Sequence, residues 1–147
     1  MTAQSLAAAV GALFTASGFV WVSTAGDPGG GGVRAYDGQV LGSPAVFVRV
    51  GQTLPKVTSR SLARTRQAHW CLVRCTVTGR AAEEVRVIAQ DVIDALEGAR
   101  PAAAGWQTTP LALLNTREPT EDRDVAATNG RWPMFGVVEL EYTATLT

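Results

Sequence analysis

The sequence predicts an α+β chain: an antiparallel or mixed sheet of four to six strands, an N-terminal helix, and one amphipathic helix at about 80–97 packed on one sheet face. Three observations carry this. Ala81, Ala82, Val85, Ile88, Ala89, Val92 and Leu96 form one apolar stripe at helical spacing, with Glu83, Glu84, Arg86, Gln90, Asp91 and Asp94 facing away. Two long stretches, about Arg66 to Thr78 and "FGVVELEYTATL", alternate with the period of a half-buried strand. The strands cluster around that one strong helix instead of alternating with helices, so a doubly wound nucleotide-binding sheet is not expected.

The elements follow in order. Thr2 to about Ala16 is rich in Ala and Leu, and Leu6, Val10, Leu13 and Phe14 share a helical face. Gly18 and the β-prone "FVWVS" end that helix, and a loop at about 25–33 follows. "VRAY" is a short strand, with Asp37-Gly38 as a tight turn. In "AVFVRV", Val46, Val48 and Val50 share one face, and Ala45, Phe47 and Arg49 share the other. The polar, basic stretch at about 51–65 contains Pro55 and reads as a loop or hairpin tip. In the next strand His69, Cys71, Val73, Cys75 and Val77 point one way. Thr78 or Gly79 caps the helix that follows, and Gly98 closes it. "LALLNTR" is a strand, and about 117–133 is a polar loop long enough to work at its surface. In the last strand Val138, Leu140, Tyr142, Ala144 and Leu146 face inward.

With 147 residues and 46% apolar side chains, the chain reads as one domain able to bury a core without a metal or a disulfide. Thirteen basic and thirteen acidic residues balance, which argues against a general nucleic-acid binder. The balance is uneven along the chain. Met1 to Gly26 has no charge, Arg49 to Arg80 has seven basic residues and no acidic one, and Ala81 to Asp124 has nine acidic residues against four arginines. This suits a subunit whose two sides attract copies of itself. Leu6 to Val22 is long enough to raise a membrane or export question, but small residues dominate it and no basic residue precedes it.

The search for chemistry returns little. The four glycines of "GDPGGGGVRAYDG" lack a Gly-Lys-Ser/Thr ending and lead into a strand, so they read as a flexible connector and not as a phosphate cradle. Cys71 and Cys75 on one strand are about 13 Å apart, too far for a disulfide and too few with His69 for zinc. No nucleophile elbow accompanies the single histidine. "EPTEDRD" gathers four carboxylates without a calcium loop's central glycine. No catalytic, metal or cofactor residue is assigned, and no cofactor is expected.

The order of "RAYDGQVLGSPAVFV", "HWCLVRCTVTG" running into "RAAEEVRVIAQDVIDALEG", "RPAAAGWQTTPL", "EDRDV" and "FGVVELEYTA" behind a short N-terminal helix resembles the tail terminator (tail-completion) proteins of long-tailed, siphovirus-type phages of actinobacteria. The resemblance spans roughly Val33 to Leu146. It departs at Pro44-Ala45-Val46-Phe47, where such proteins tend to have Pro-Tyr-Val-Val, and at the glycine loop, which looks like a local insertion. The resemblance implies a non-enzymatic hexameric ring at the tail–neck junction of a virion, assembled in the host cytoplasm. That ring would cap the head-proximal end of the tail tube, stop its growth and offer a platform to the neck. Its implied partners are other copies of itself, the major tail tube protein and a neck or head-completion protein, with DNA only as passing cargo and no membrane. The charge distribution nominates Lys56, Arg60, Arg64 and Arg66 on one side and Glu118, Glu121, Asp122 and Asp124 on the other as subunit or tube interfaces. The competing expectations are another connector ring subunit, an exported or membrane-tethered binding domain anchored by Leu6 to Val22, and a small enzyme.

Overall fold

A computed structural model describes residues 2–60, 67–127 and 130–147. Two helices and eight strands follow in the order α1 (Thr2–Ala16), β1 (Val20–Val22), β2 (Arg34–Asp37), β3 (Phe47–Gln52), β4 (Lys56–Arg60), β5 (Gln67–Gly79), α2 (Ala82–Leu96), β6 (Trp106–Thr108), β7 (Ala112–Glu121) and β8 (Met134–Leu146). The class is α+β with a mixed sheet, as expected, but the sheet has eight strands where four to six were expected. The additional ones, β1, β4 and β6, have three to five residues each. Strands so short owe their pairing to longer neighbours and leave little periodicity to read.

The spine of the sheet is the antiparallel pair β5 and β8, thirteen residues each, in register from Ala68↔Thr145 to Gly79↔Met134. Along the outer side of β5 lie β3, opposite Val73 to Thr78, and then β4, opposite Gln67 to Trp70. Along the outer side of β8 lie β7, opposite Met134 to Glu141, and then β6, opposite Ala144 to Leu146. Beyond β3 the sheet continues with β2 and β1, all three parallel. Asp37-Gly38 does turn the chain: Gly38 has φ 78°, and its N–H donates to the carbonyls of Tyr36 and Val50. The strand that follows nevertheless runs parallel, so this turn does not make a hairpin. β4 falls inside the span expected as a loop at 51–65, and β7 extends through Glu121 into the span expected as a loop at 117–133.

Both helices cover the same sheet face. Leu6, Val10 and Phe14 of α1 and Val85, Ile88, Val92 and Leu96 of α2 enclose one core with Val48, Val50, Cys71, Val73, Cys75, Val77, Val138, Leu140 and Ala144. These are the inward sets that strand alternation gives for β3, β5 and β8. The stretch Leu6 to Val22 is thus divided between α1 and β1, with its large side chains in the core. Among the described residues no helix is long and apolar enough to cross a membrane. Gly11 lets α1 lie directly on the Trp21 indole, whose ring stacks on Phe14 at 5.5 Å.

The start of α2 differs from expectation. Ala81 is the N-cap and offers no side-chain bond. The Glu84 carboxylate instead reaches back to the residue before the cap: it accepts from the Arg80 N–H at 2.9 Å and pairs with the Arg80 guanidinium at 3.1 Å. Gly98, at φ 78°, follows the last turn as expected.

Candidate assembly surfaces

Among the described residues no helix lies over the second face of the sheet. At its β1–β2 end Val20, Val22 and Tyr36 form a small cluster with Val40 and Phe47, so the connection from β2 to β3 covers that corner. The remainder is mostly half-buried along β5 and β8, with Val137 buried, and follows the ladder row by row. Phe47, Thr78, Phe135 and Thr120 form one row, and Arg49, Thr76, Val137 and Arg117 the next. Gly51, Arg74, Glu139 and Asn115 form a third. Below them Leu72 faces Glu141, and Trp70 stands between Lys56 and Thr143. Trp70 Nε1 donates to Glu141 Oε2 at 2.8 Å. Arg117 lies 5.5 Å from the Phe135 ring centre. Arg49, Arg74 and Arg117 are exposed, and none has an ion-pair partner among the described residues.

On the opposite side, the outward surface of α2 is acidic. Glu83, Asp91, Asp94 and Glu97 are exposed, with Val87 among them at 56% exposure. Asp94 accepts a hydrogen bond from Gln90 Nε2 at 2.9 Å, and these four carboxylates have no ion pair among the described residues.

The nominated charges separate along the spine. Lys56 is exposed on β4 opposite Trp70, and Arg60 ends β4 opposite Gln67. Arg64 and Arg66 lie outside the described residues. Glu118 and Glu121 stand on β7, not in a loop, and Asp122 and Asp124 follow in the turn toward β8. Glu121 is paired with Arg123 at 2.9 Å, and Asp122 Oδ1 accepts from the Asp124 N–H. Glu121 faces Met134, which faces Gly79. Nine strand steps therefore separate this acidic end from the basic end at Trp70, about 30 Å. The structure does not bring the two groups together; it sets them at opposite ends of one ribbon. Alternation along β3 puts Arg49 on the correct strand face, but the sequence does not single out Arg49, Arg74 and Arg117 as a group. The alternation along β3 and β5 was the available signal.

The described residues also form an open cleft of about 340 Å³ between α1, the end of β2 and the β3–β4 link, lined by Leu6, Asp37, Thr53, Leu54, Cys71 and Tyr142. Burial raises the Asp37 carboxyl. Burial also raises the Cys71 thiol, opposed in part by its hydrogen bond with Tyr142. A thiol held protonated is a poor nucleophile at neutral pH. The described residues contain no group of three or more His, Cys, Asp and Glu able to hold a metal ion. His69 is buried edge-on to Trp106, with ring centres 5.2 Å apart.

No protein-family model matches the chain, and no curated protein matches it. Among solved structures it is similar to a chain of the "Virion of native gene transfer agent (GTA) particle", with TM-score 0.51 and 20% identity, over 75% of this chain and 78% of that one. Identity at this level speaks for architecture, so what the two chains share is the fold: this chain has the fold of a component of a gene transfer agent virion.

Proposed function

We propose that the chain is a structural subunit of a phage-like virion, and within it a tail terminator. In this reading copies close into a hexameric ring that caps the head-proximal end of the tail tube and stops its polymerisation. The ring contacts the major tail tube protein on one side and a neck or head-completion protein on the other, and DNA passes through its lumen. It is assembled in the host cytoplasm, ends at the tail–neck junction, and works by adhesion instead of bond-making. The observation that carries the reading is the fold likeness to a gene transfer agent virion chain across 75% and 78% of the two chains. The motif order described above supports the finer assignment.

The ribbon gives this function a geometry. The basic end, with Lys56 and Arg60, and the acidic end, with Glu118, Glu121, Asp122 and Asp124, are well placed to meet different axial neighbours. Electron microscopy of the purified protein mixed with tail tubes tests this. Rings seated on one tube end, with tube length limited by added protein, are the expected result. A protein that stays monomeric and leaves tube growth unchanged overturns the reading.

A further inference from the structure

The two layers of this fold carry opposite charge on their outer surfaces, and among the described residues neither Arg49, Arg74 and Arg117 nor Glu83, Asp91, Asp94 and Glu97 form an ion pair. We infer that the uncovered sheet face around Arg49, Arg74 and Arg117 receives the acidic outer surface of α2 from a second copy. The inference rests on the ring-subunit reading and supplies its lateral contact.

Complementary charge is the first argument. Three exposed guanidiniums from β3, β5 and β7 lie within two adjacent rows, with no ion pair among the described residues. Glu83, Asp91, Asp94 and Glu97 on α2 are in the same condition. The anatomy of the two surfaces is the second argument. On the sheet half-buried Phe135 lies one row to one side of Arg49 and Arg117, and half-buried Leu72 one row to the other side of Arg74, while on the helix exposed Val87 lies among the carboxylates. Apolar area bordered by charged groups is the usual build of a protein interface. Dimensions agree as well: the fifteen residues of α2 span about 22 Å, and four strands span roughly 15 Å between the outer two.

DNA is the less suitable occupant of the sheet face. Glu139 faces Arg74 directly and Glu141 lies in the adjoining row, so a polyanion would meet carboxylates among the arginines. A helix carrying carboxylates and Arg86 can interleave with such a pattern. The two surfaces lie on opposite sides of the subunit, so the contact is heterologous. It propagates from copy to copy and closes into a ring when the rotation allows.

Two charge-reversed chains test the inference: Arg74→Glu with Arg117→Glu, and Asp91→Lys with Asp94→Lys. Sedimentation velocity at low and high salt reads the assembly, and circular dichroism confirms that each chain is folded. Wild type assembles, and each reversed chain alone sediments as monomer, with at least a tenfold weaker association. An equimolar mixture regains the assembly, because the altered sheet face of one chain then meets the altered helix of the other. Reversed chains that assemble like wild type overturn this interface while leaving the ring reading intact. A wild-type chain that is monomeric both alone and beside tail tubes overturns both. Duplex DNA retained by wild type and lost by the Arg74, Arg117 variant, with its oligomers unchanged, assigns the face to nucleic acid and overturns the inference.

Discussion

Arg34 closes the glycine-rich loop on Asp27: its Nε donates to Asp27 Oδ2 at 3.0 Å and its Nη2 to Oδ1 at 3.2 Å. Its Nη1 also donates to the carbonyls of Gly30 and Gly32, and Gly29 N–H donates to Asp27 Oδ1 at 2.7 Å. Four glycines of this loop, Gly26, Gly29, Gly30 and Gly32, have positive φ, which the wrap around one guanidinium requires. The cation nearest the glycines is therefore engaged by a carboxylate of the same loop.

Asp27→Asn is expected to speed amide exchange at Gly29 and across the loop while leaving the core amides protected. The Arg34 hydrogen bonds hold the Asp27 carboxyl below its ordinary 3.8. The loop's protection is thus complete above about pH 4 and is lost as pH falls through the lowered value. Hydrogen exchange at several pH values checks this, and equal loop protection in Asp27→Asn and wild type would contradict it.

Gly11→Ala is expected to destabilise the fold by up to about 2 kcal/mol. A methyl there meets the Trp21 indole closer than any real Cβ contact, and overpacking of this kind costs about 1–3 kcal/mol against a helix-propensity gain of about 1. Removing residues through Ala25 takes Leu6, Val10 and Phe14 out of the core and should abolish cooperative unfolding. Urea denaturation measures both.

Gly136 lies beneath α2, where an added Cβ would meet Val85 Cγ1 at 3.1 Å and the Arg117 carbonyl at 3.3 Å. Gly136→Ala should cost about 1–3 kcal/mol by pushing the helix away. In a double-mutant cycle, Val85→Ala should recover part of that cost, so the two effects are less than additive. Strict additivity would show that the helix does not bear on this glycine.

The core is also expected to weaken in alkali. Cys75 is buried among apolar groups and its thiol is pushed from 9.0 up to about 12. Burial raises the Tyr142 hydroxyl as well. Between about pH 9 and pH 12 the unfolded chain releases a proton that the folded chain keeps. The stabilisation is complete below pH 9 and declines through that window, by up to about tenfold in the folding constant per pH unit for one thiol. Urea midpoints from pH 8 to pH 11 should fall in wild type and fall less in Cys75→Ala.

Much of this architecture was legible because long elements repeat their signal. β5, β8 and α2 each carry an apolar set of four or more side chains at one period, and the structure buries those sets together. β4 and the later part of β7 were not legible. Their partners β5 and β8 supply the ladder, and an exposed edge strand has no inward face to enforce alternation. Pro119 and the register shift between Arg117 and Thr120 further disguise β7. The parallel order of β1, β2 and β3 was hidden too, because a turn's residues do not reveal which way the next strand runs. As for the surfaces, sequence gives the sign of each charge and, on a regular strand, its side. Which side stays uncovered is decided by where the helices pack.

β8 is the last of the described strands in chain order, yet it lies between β5 and the strands β6 and β7. During synthesis the earlier strands therefore wait with their inner edges unpaired, and the barrier to folding includes closing the loop between Gly79 and Met134. A chain cut before β8 would lack the middle of its sheet, so β5, β6 and β7 gain their shared partner only with Met134–Leu146.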